Sequence, residues 1–343
     1  MEKIEKFEIY QRRFLGNKLK VMPLIEKIIE SEIKNFNSFC DIFAGTGTVG
    51  WYFNKENLQI ITNDLLYSNY IPLRAFLSDE EFDEKKIEEL LKEFNSIKDC
   101  EDNYVSINFG NKYFCNNNAR IIGEVRERIH KYFLNDIINP KEKAILLTSL
   151  LYAMDKIANT VGHYDAYRNI KDIPYKPLKF LMPDIDKRKN QNNLIFNMDA
   201  NILIREIECD VLYIDPPYNS RQYSDTYHLP ENIIRWEKPE LHGKAMKFDR
   251  STLKSKYSSK EAAKAFADLI ENAKCKYILF SYNNMANKGH SRSNARISDE
   301  EIMEILSKKG RVKIYEKEHK EFTTGKSKRG DNKERIFFVK VKK

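Results

Sequence analysis

Residues 41–50 read Asp-Ile-Phe-Ala-Gly-Thr-Gly-Thr-Val-Gly and directly follow the apolar pair Phe39-Cys40. A short strand over residues 39–43 would deliver its end to Gly45 and Gly47. Their missing side chains let backbone N–H groups approach a ligand at the N-terminus of the next helix. Open α/β sheets bind ligands at that edge. The G-x-G pair is not specific by itself, because a tight turn uses it too, and Gly50 also completes the G-x-G-x-x-G register of a dinucleotide site. NAD and other nucleoside cofactors are both open on this evidence. Asp64 follows the next apolar stretch, 58–61, where a carboxylate accepts hydrogen bonds from the two ribose hydroxyls of either ligand. A solvated Asn63-Asp64 turn is the competing reading.

Outward from the loop, residues 18–30 carry apolar positions at helical spacing, with Pro23 near the start, and residues 51–55 read as helical. Between about 70 and 191 the pattern changes to long helical stretches, notably 84–94, 119–134 and 141–157. Strand signals resume at 194–197, 210–214 and 277–280. A helix over 299–308 then leads into strands at 312–315 and 336–341, joined by a Gly/Lys/Arg-rich loop. The sequence predicts an α/β fold with an antiparallel C-terminal hairpin. A catalytic domain built from residues 1–69 and 192–343 would be interrupted by a mainly helical insert over 70–191.

The strand at 210–214 ends in Asp215-Pro216-Pro217-Tyr218. Two prolines at a strand end stiffen the backbone and stop the ladder, which suits a site. The exocyclic amine of a base is a poor nucleophile because its lone pair is delocalised into the ring. Two acceptors aimed at its N–H groups, the Asp215 carboxylate and the Pro216 carbonyl, would favour the nucleophilic form. Tyr218 would stack on a base flipped out of the duplex, offsetting part of the unstacking cost.

With these motifs the chain is similar to the alpha group of amino-methyltransferases, specifically the D12 class of adenine-specific DNA methyltransferases of restriction-modification systems. The order glycine loop, long insert, tetrapeptide matches, and the similarity covers most of the chain, least between about 70 and 191 and past 240. It implies a Rossmann-like class I S-adenosylmethionine-dependent methyltransferase sheet. It also implies S-adenosylmethionine as cofactor and N6 of a flipped adenine in a specific duplex DNA sequence as the methyl acceptor.

The resemblance further assigns residues. Phe14-Leu15-Gly16-Asn17-Lys18 matches an aromatic-plus-Gly-x-Lys segment that contacts the cofactor, with Phe14 packing on it and Lys18 meeting its carboxylate. Asp41, Phe43, Gly45, Gly47 and Asp64 line the cofactor, and Asp199 stands near its adenine. Asp215, Pro216, Pro217 and Tyr218 are the catalytic tetrad, Asp215 also facing the cofactor. The insert is similar to a target-recognition region, in which His163, Tyr164 and Arg168 are nucleic-acid contacts; for His163 a structural hydrogen bond is the competing reading. Arg221 and Tyr223 would close over the base, and Lys326, Lys328 and Arg329 would follow phosphates. Transfer would be in line, and no Pro-Cys dipeptide is present to form a covalent intermediate. Double-stranded DNA is the expected partner, and the resemblance leaves room for a cognate restriction endonuclease acting on the same site.

Composition fits this reading. The net charge is +8, and it is concentrated: residues 238–260 hold seven basic against two acidic residues, and residues 311–343 twelve against five. A basic C-terminal third is what a phosphate-tracking face requires, although solvated tails give the same count. No apolar run approaches the roughly 20 residues of a membrane span. The N-terminus lacks an apolar signal core, so a cytoplasmic, non-membrane protein is expected. The five cysteines show no C-x-x-C pair, so no metal site is expected and the thiols read as reduced. Among rivals, guanine-N2 RNA methyltransferases with a similar tetrapeptide have a short interval after the glycine loop, and cytosine-N4 enzymes more often have serine at position 215. A non-catalytic binding subunit would not need both motifs intact.

Overall fold

The structure, a computed structural model, describes residues 4–16, 18–218, 220–283, 296–318 and 333–342. It divides into two compact units. One comprises Lys18–Leu65, Phe196–Tyr223 and Leu253–Lys343; the other comprises Met1–Asn17, Leu66–Ile195 and Ser224–Thr252.

The first unit is built on a sheet of seven strands: β1 (Ser38–Asp41), β2 (Gln59–Asn63), β3 (Leu194–Phe196), β4 (Cys209–Ile214), β5 (Cys275–Asn283), β6 (Gly310–Glu318) and β7 (Lys333–Val341). Their order is β3-β2-β1-β4-β5-β7-β6. β2, β1, β4 and β5 pair in parallel, while β7 runs antiparallel to both β5 and β6. The mixed α/β sheet with its antiparallel C-terminal hairpin is that of a class I methyltransferase. The strand order reverses between β1 and β4, so their carboxyl ends flank a topological switch point, where open sheets bind ligands. The glycine loop follows β1 and the tetrapeptide follows β4.

Central parallel strands are covered on both faces, which explains the continuous apolar run of Val211, Leu212, Tyr213 and Ile214, all 1% exposed or less. Alternation splits them between two cores. Leu212, Ile214 and Phe280 pack with Leu269 and Ile302 of the helices Ala262–Asn272 and Asp299–Ser307. Val211, Tyr213 and Leu279 pack with Ile25 and Ile28 of the helix Met22–Glu32. That helix starts four residues later than its apolar spacing suggests. Pro23 occupies its first turn, where a missing N–H costs nothing, and the Lys18 carbonyl closes the preceding turn by accepting from Val21 and Met22. β5 extends beyond residues 277–280 because pairing with β7 continues to Asn283.

The second unit is mainly helical. Its central helix, Pro140–Ile157, is buried on nearly every side, and its start is fixed by Pro140 and a capping box between Asn139 and Glu142. The helix Tyr67–Leu77 contains Pro72, which supplies no N–H to the Ser68 carbonyl. The Arg12 guanidinium takes that vacancy: Nη1 donates to the Ser68 carbonyl at 3.3 Å and to Asn69 Oδ1 at 2.6 Å, while Nε meets Asp155 at 3.2 Å. Among the described residues no helix is long and apolar enough to cross a membrane. All five cysteines are free.

Candidate active site

At the end of β1 the backbone turns sharply: Gly45 and Gly47 have φ of 54° and 78°, a region costly for side-chain-bearing residues. Gly47 caps the helix Thr48–Phe53. The loop is drawn to the neighbouring strand, because Gly45 N–H donates to Asp64 Oδ2 at 2.9 Å and Ala44 N–H to the Asn63 carbonyl. Asn63 in turn links the Ile42 and Met198 carbonyls through its amide nitrogen. One short network thus holds the glycine loop, Asp64 and the segment leading to Asp199 together. Asp199 caps the short helix Ala200–Leu203 through Asn201 N–H. Phe43 packs edge-on to Tyr257 at 4.9 Å.

Asp41 is 1% exposed, and neither carboxylate oxygen has a full hydrogen bond among the described residues. Burial, with the nearby Asp215 charge, pushes its carboxyl well above the usual range. A buried carboxylate without a cation beside the glycine loop is the feature a positively charged ligand would complete. Together with the open glycine turn and Asp64, it fits the sulfonium and ammonium charges and the ribose of S-adenosylmethionine.

Asp215 stands at the end of β4, 17% exposed at its side chain, with Oδ1 3.2 Å from Lys18 Nζ. Lys18 is 7% exposed and also lies 3.4 Å from Glu334 on β7. Burial disfavours the ammonium, but the two carboxylates outweigh it and hold the Lys18 pKa well above its ordinary value. Burial likewise pushes the Asp215 carboxyl up to about 6, with Lys18 pulling it down and Glu334 pushing it up. The Tyr218 ring meets Tyr282 edge-on at 6.3 Å, and its carbonyl accepts from Arg296 N–H. After the tetrapeptide, Arg221 is exposed and Tyr223 half-buried. Between them Gln222 anchors the segment by two hydrogen bonds to the Ser255 backbone.

The sheet unit therefore brings together Lys18, Asp41, Phe43, Gly45, Gly47, Asp64, Asp199 and the tetrad. Glu334, Tyr257 and Tyr282 were missed by sequence reading. Tyr282 lies in a strand-end run, Ser281-Tyr282-Asn283, that marks a site edge, whereas Glu334 is masked by the surrounding lysines and arginines. Lys326, Lys328 and Arg329 lie outside the described residues.

In the helical unit, Phe14 stacks on Tyr227 at 4.2 Å, and Leu15 N–H donates to the Tyr227 hydroxyl. Tyr164 is 3% exposed, its hydroxyl bonded to Asp155 at 2.7 Å. His163 is half-buried and Arg168 exposed. From Arg168 to Phe180 the chain runs as a strap pinned by three asparagine side chains, two of them buried. Asn159 donates to the Arg168 carbonyl, Asn118 to that of Lys176, and Asn95 both donates to and accepts from Phe180. Outward from the strap point Arg168, Ile170, Lys171, Tyr175, Lys176 and Lys179. Among the described residues no cluster of three His, Cys, Asp or Glu could hold a metal ion.

Comparison with known proteins adds an independent line. Residues 14–321 match the family described as D12 class N6 adenine-specific DNA methyltransferase. The chain is 33% identical to the type II methyltransferase M.FokI of Planomicrobium okeanokoites over 88% of its length and 48% of the relative's. It is 32% identical to the modification methylase StsI of Streptococcus sanguinis, over 86% of the chain and 46% of the relative. To the type II methyltransferase M.NlaIII of Neisseria lactamica it is 32% identical over 93% and 95%. The chain thus spans about half the length of the first two and nearly all of the third.

Proposed function

Because the chain belongs to the D12 class N6 adenine-specific DNA methyltransferase family, we propose that it methylates N6 of a flipped-out adenine at a specific sequence in duplex DNA. The observation that carries this reading is Asp215-Pro216-Pro217-Tyr218 at the end of β4, with a half-buried Asp215 paired to Lys18. Asp215 and the Pro216 carbonyl accept the two N6 hydrogens, leaving the nitrogen lone pair directed at the methyl donor. Tyr218 stacks on the flipped ring. S-adenosylmethionine, when bound, supplies an electrophilic methyl group. Asp41 balances its positive charge, Asp64 accepts from its ribose, and Phe43 and Asp199 frame it. Lys18 keeps Asp215 anionic, its contact with the cofactor carboxylate being the role drawn from the family. The surplus proton on the product amine passes to Asp215 or solvent.

The insert, residues 70–191, is the target-recognition region in this reading. Arg168 and, in part, His163 retain the exposure a DNA contact needs, whereas Tyr164 is buried with its hydroxyl on Asp155. Arg221 and Tyr223 close over the base, while Lys326, Lys328 and Arg329 track phosphates. The names of the relatives support a role as the modification arm of a restriction-modification system, with a cognate endonuclease acting on the same site. Incubation with methyl-labelled cofactor and mixed-sequence duplex DNA, followed by mapping of N6-methyladenine, tests the proposal. Label should enter one short sequence context, and Asp215→Ala should abolish it. Label in RNA alone, or full activity of the variant, overturns the reading.

A further inference from the structure

Lys18 is held by two carboxylates, Asp215 and Glu334. Glu334 reaches it by the two-residue period of β7: it shares a face with Ile336 and Phe338, which pack in the same core as Val21 and Tyr213. Its neighbour Arg335 projects to the other face and is bound to Asp299 and the Asn283 carbonyl, so it does not neutralise Glu334. The distances from Lys18 Nζ, 3.2 Å to Asp215 and 3.4 Å to Glu334, are both longer than the roughly 2.7–2.9 Å of a close charge-assisted bond. The ammonium is shared between them. A lysine facing Asp215 alone would draw close and engage the carboxylate lone pairs that the target amine needs. A lysine drawn back by a second carboxylate neutralises Asp215 through one long hydrogen bond.

We infer that Glu334 is a positioning residue for methyl transfer, which holds Lys18 back from Asp215 so that the Asp215 carboxylate remains a strong acceptor for the adenine amine. The inference rests on the proposed role of Asp215. The other groups that act on Asp215 are Asp41 on β1, Tyr213 on β4, Ser281 on β5 and Tyr218 in the tetrad, the last itself influenced by Arg221. Among the described residues, the Lys18–Glu334 pair couples Asp215 to the C-terminal hairpin.

The test is single-turnover methylation of the mapped duplex across pH 5–9 for the wild type, Glu334→Gln and Asp215→Asn. It is accompanied by calorimetric titration with S-adenosylhomocysteine and an infrared titration of the carboxyl bands. Glu334→Gln should lower the plateau rate by about tenfold, equivalent to about 1.4 kcal/mol of transition-state stabilisation. Both its acid limb and the Asp215 carboxyl band should shift to lower pH, because a repelling carboxylate is gone and Lys18 moves in. Product affinity should stay within about twofold, and Glu334→Asp should restore part of the rate. A wild-type rate and an unmoved acid limb in Glu334→Gln, with Asp215→Asn inactive, overturn this inference alone. A loss of rate and of melting temperature without any pH shift also overturns it, by making Glu334 merely structural. An active Asp215→Asn overturns the catalytic reading beneath it.

Discussion

Asp41 illustrates how a single side chain can work against folding and for binding. Its carboxyl is buried beside the glycine loop with neither oxygen fully hydrogen-bonded among the described residues, and burial holds it in the protonated form until a positive charge arrives. Asp41→Asn should therefore raise the melting temperature of the ligand-free protein, by the equivalent of about 1–3 kcal/mol, while weakening cofactor affinity at least about tenfold. Thermal shift with and without S-adenosylhomocysteine separates the two effects, and a variant that binds normally would remove Asp41 from the site. Asp215 carries a second opposition. Burial pushes its carboxyl up to about 6, above the ordinary 3.8, so the folded state holds the proton more tightly than the unfolded chain. Its contribution to stability is full below about 3.8 and is lost as pH rises through 6, whereas the acceptor role requires the anion. Methylation should accordingly fall about tenfold per pH unit below 6 and stay flat from 7 to 8; a rate independent of pH down to 5 contradicts the assignment.

The helix Tyr67–Leu77 shows why some elements were legible in sequence and others were not. Pro72 breaks the usual signal, and the compensation comes from Arg12, 60 residues away, which no local pattern reveals. Periodicity did identify the three longest stretches of the insert and every main strand of the sheet, because burial on two faces or one face leaves a direct imprint on residue order. Strand ends were read short where pairing, not side-chain pattern, extends them, as at β5 and β7. The site was legible where it uses rigid local motifs, the glycine loop and the tetrad. Glu334 was not, since its role depends on a register in a hairpin crowded with basic residues. The Arg12 knot itself makes a prediction. Arg12 and Asp155 are 1% and 4% exposed, so Arg12→Met leaves a buried carboxylate and the Ser68 carbonyl without their cation, at a cost of about 3–5 kcal/mol. Arg12→Met with Asp155→Asn should recover much of that loss. Urea unfolding of both measures it, and equal stability of the two variants would show that the pair is not coupled.

For the whole molecule, the +8 net charge is less informative than how each positive group is mounted. In the segment from Arg168 to Phe180, the Arg168, Lys176 and Phe180 carbonyls and the Phe180 amide are met by the side chains of Asn159, Asn118 and Asn95. Arg168, Lys171, Lys176 and Lys179 are all exposed on this segment, with Asp172 its one acid, and in the proposed DNA-methylating role they are candidates for phosphate contacts. Each of the four that meets a phosphate releases counterions on binding. Their joint replacement by glutamine should therefore reduce the slope of log affinity against log salt by about 0.9 for each phosphate contacted. The loss should be the same for cognate and unrelated duplexes, because phosphates carry no sequence information. Tyr175→Ala, which changes no charge, should leave the slope unchanged and alter only the discrimination between sequences. A salt slope unaffected by the fourfold replacement would place the DNA-tracking charge elsewhere, in the basic C-terminal third.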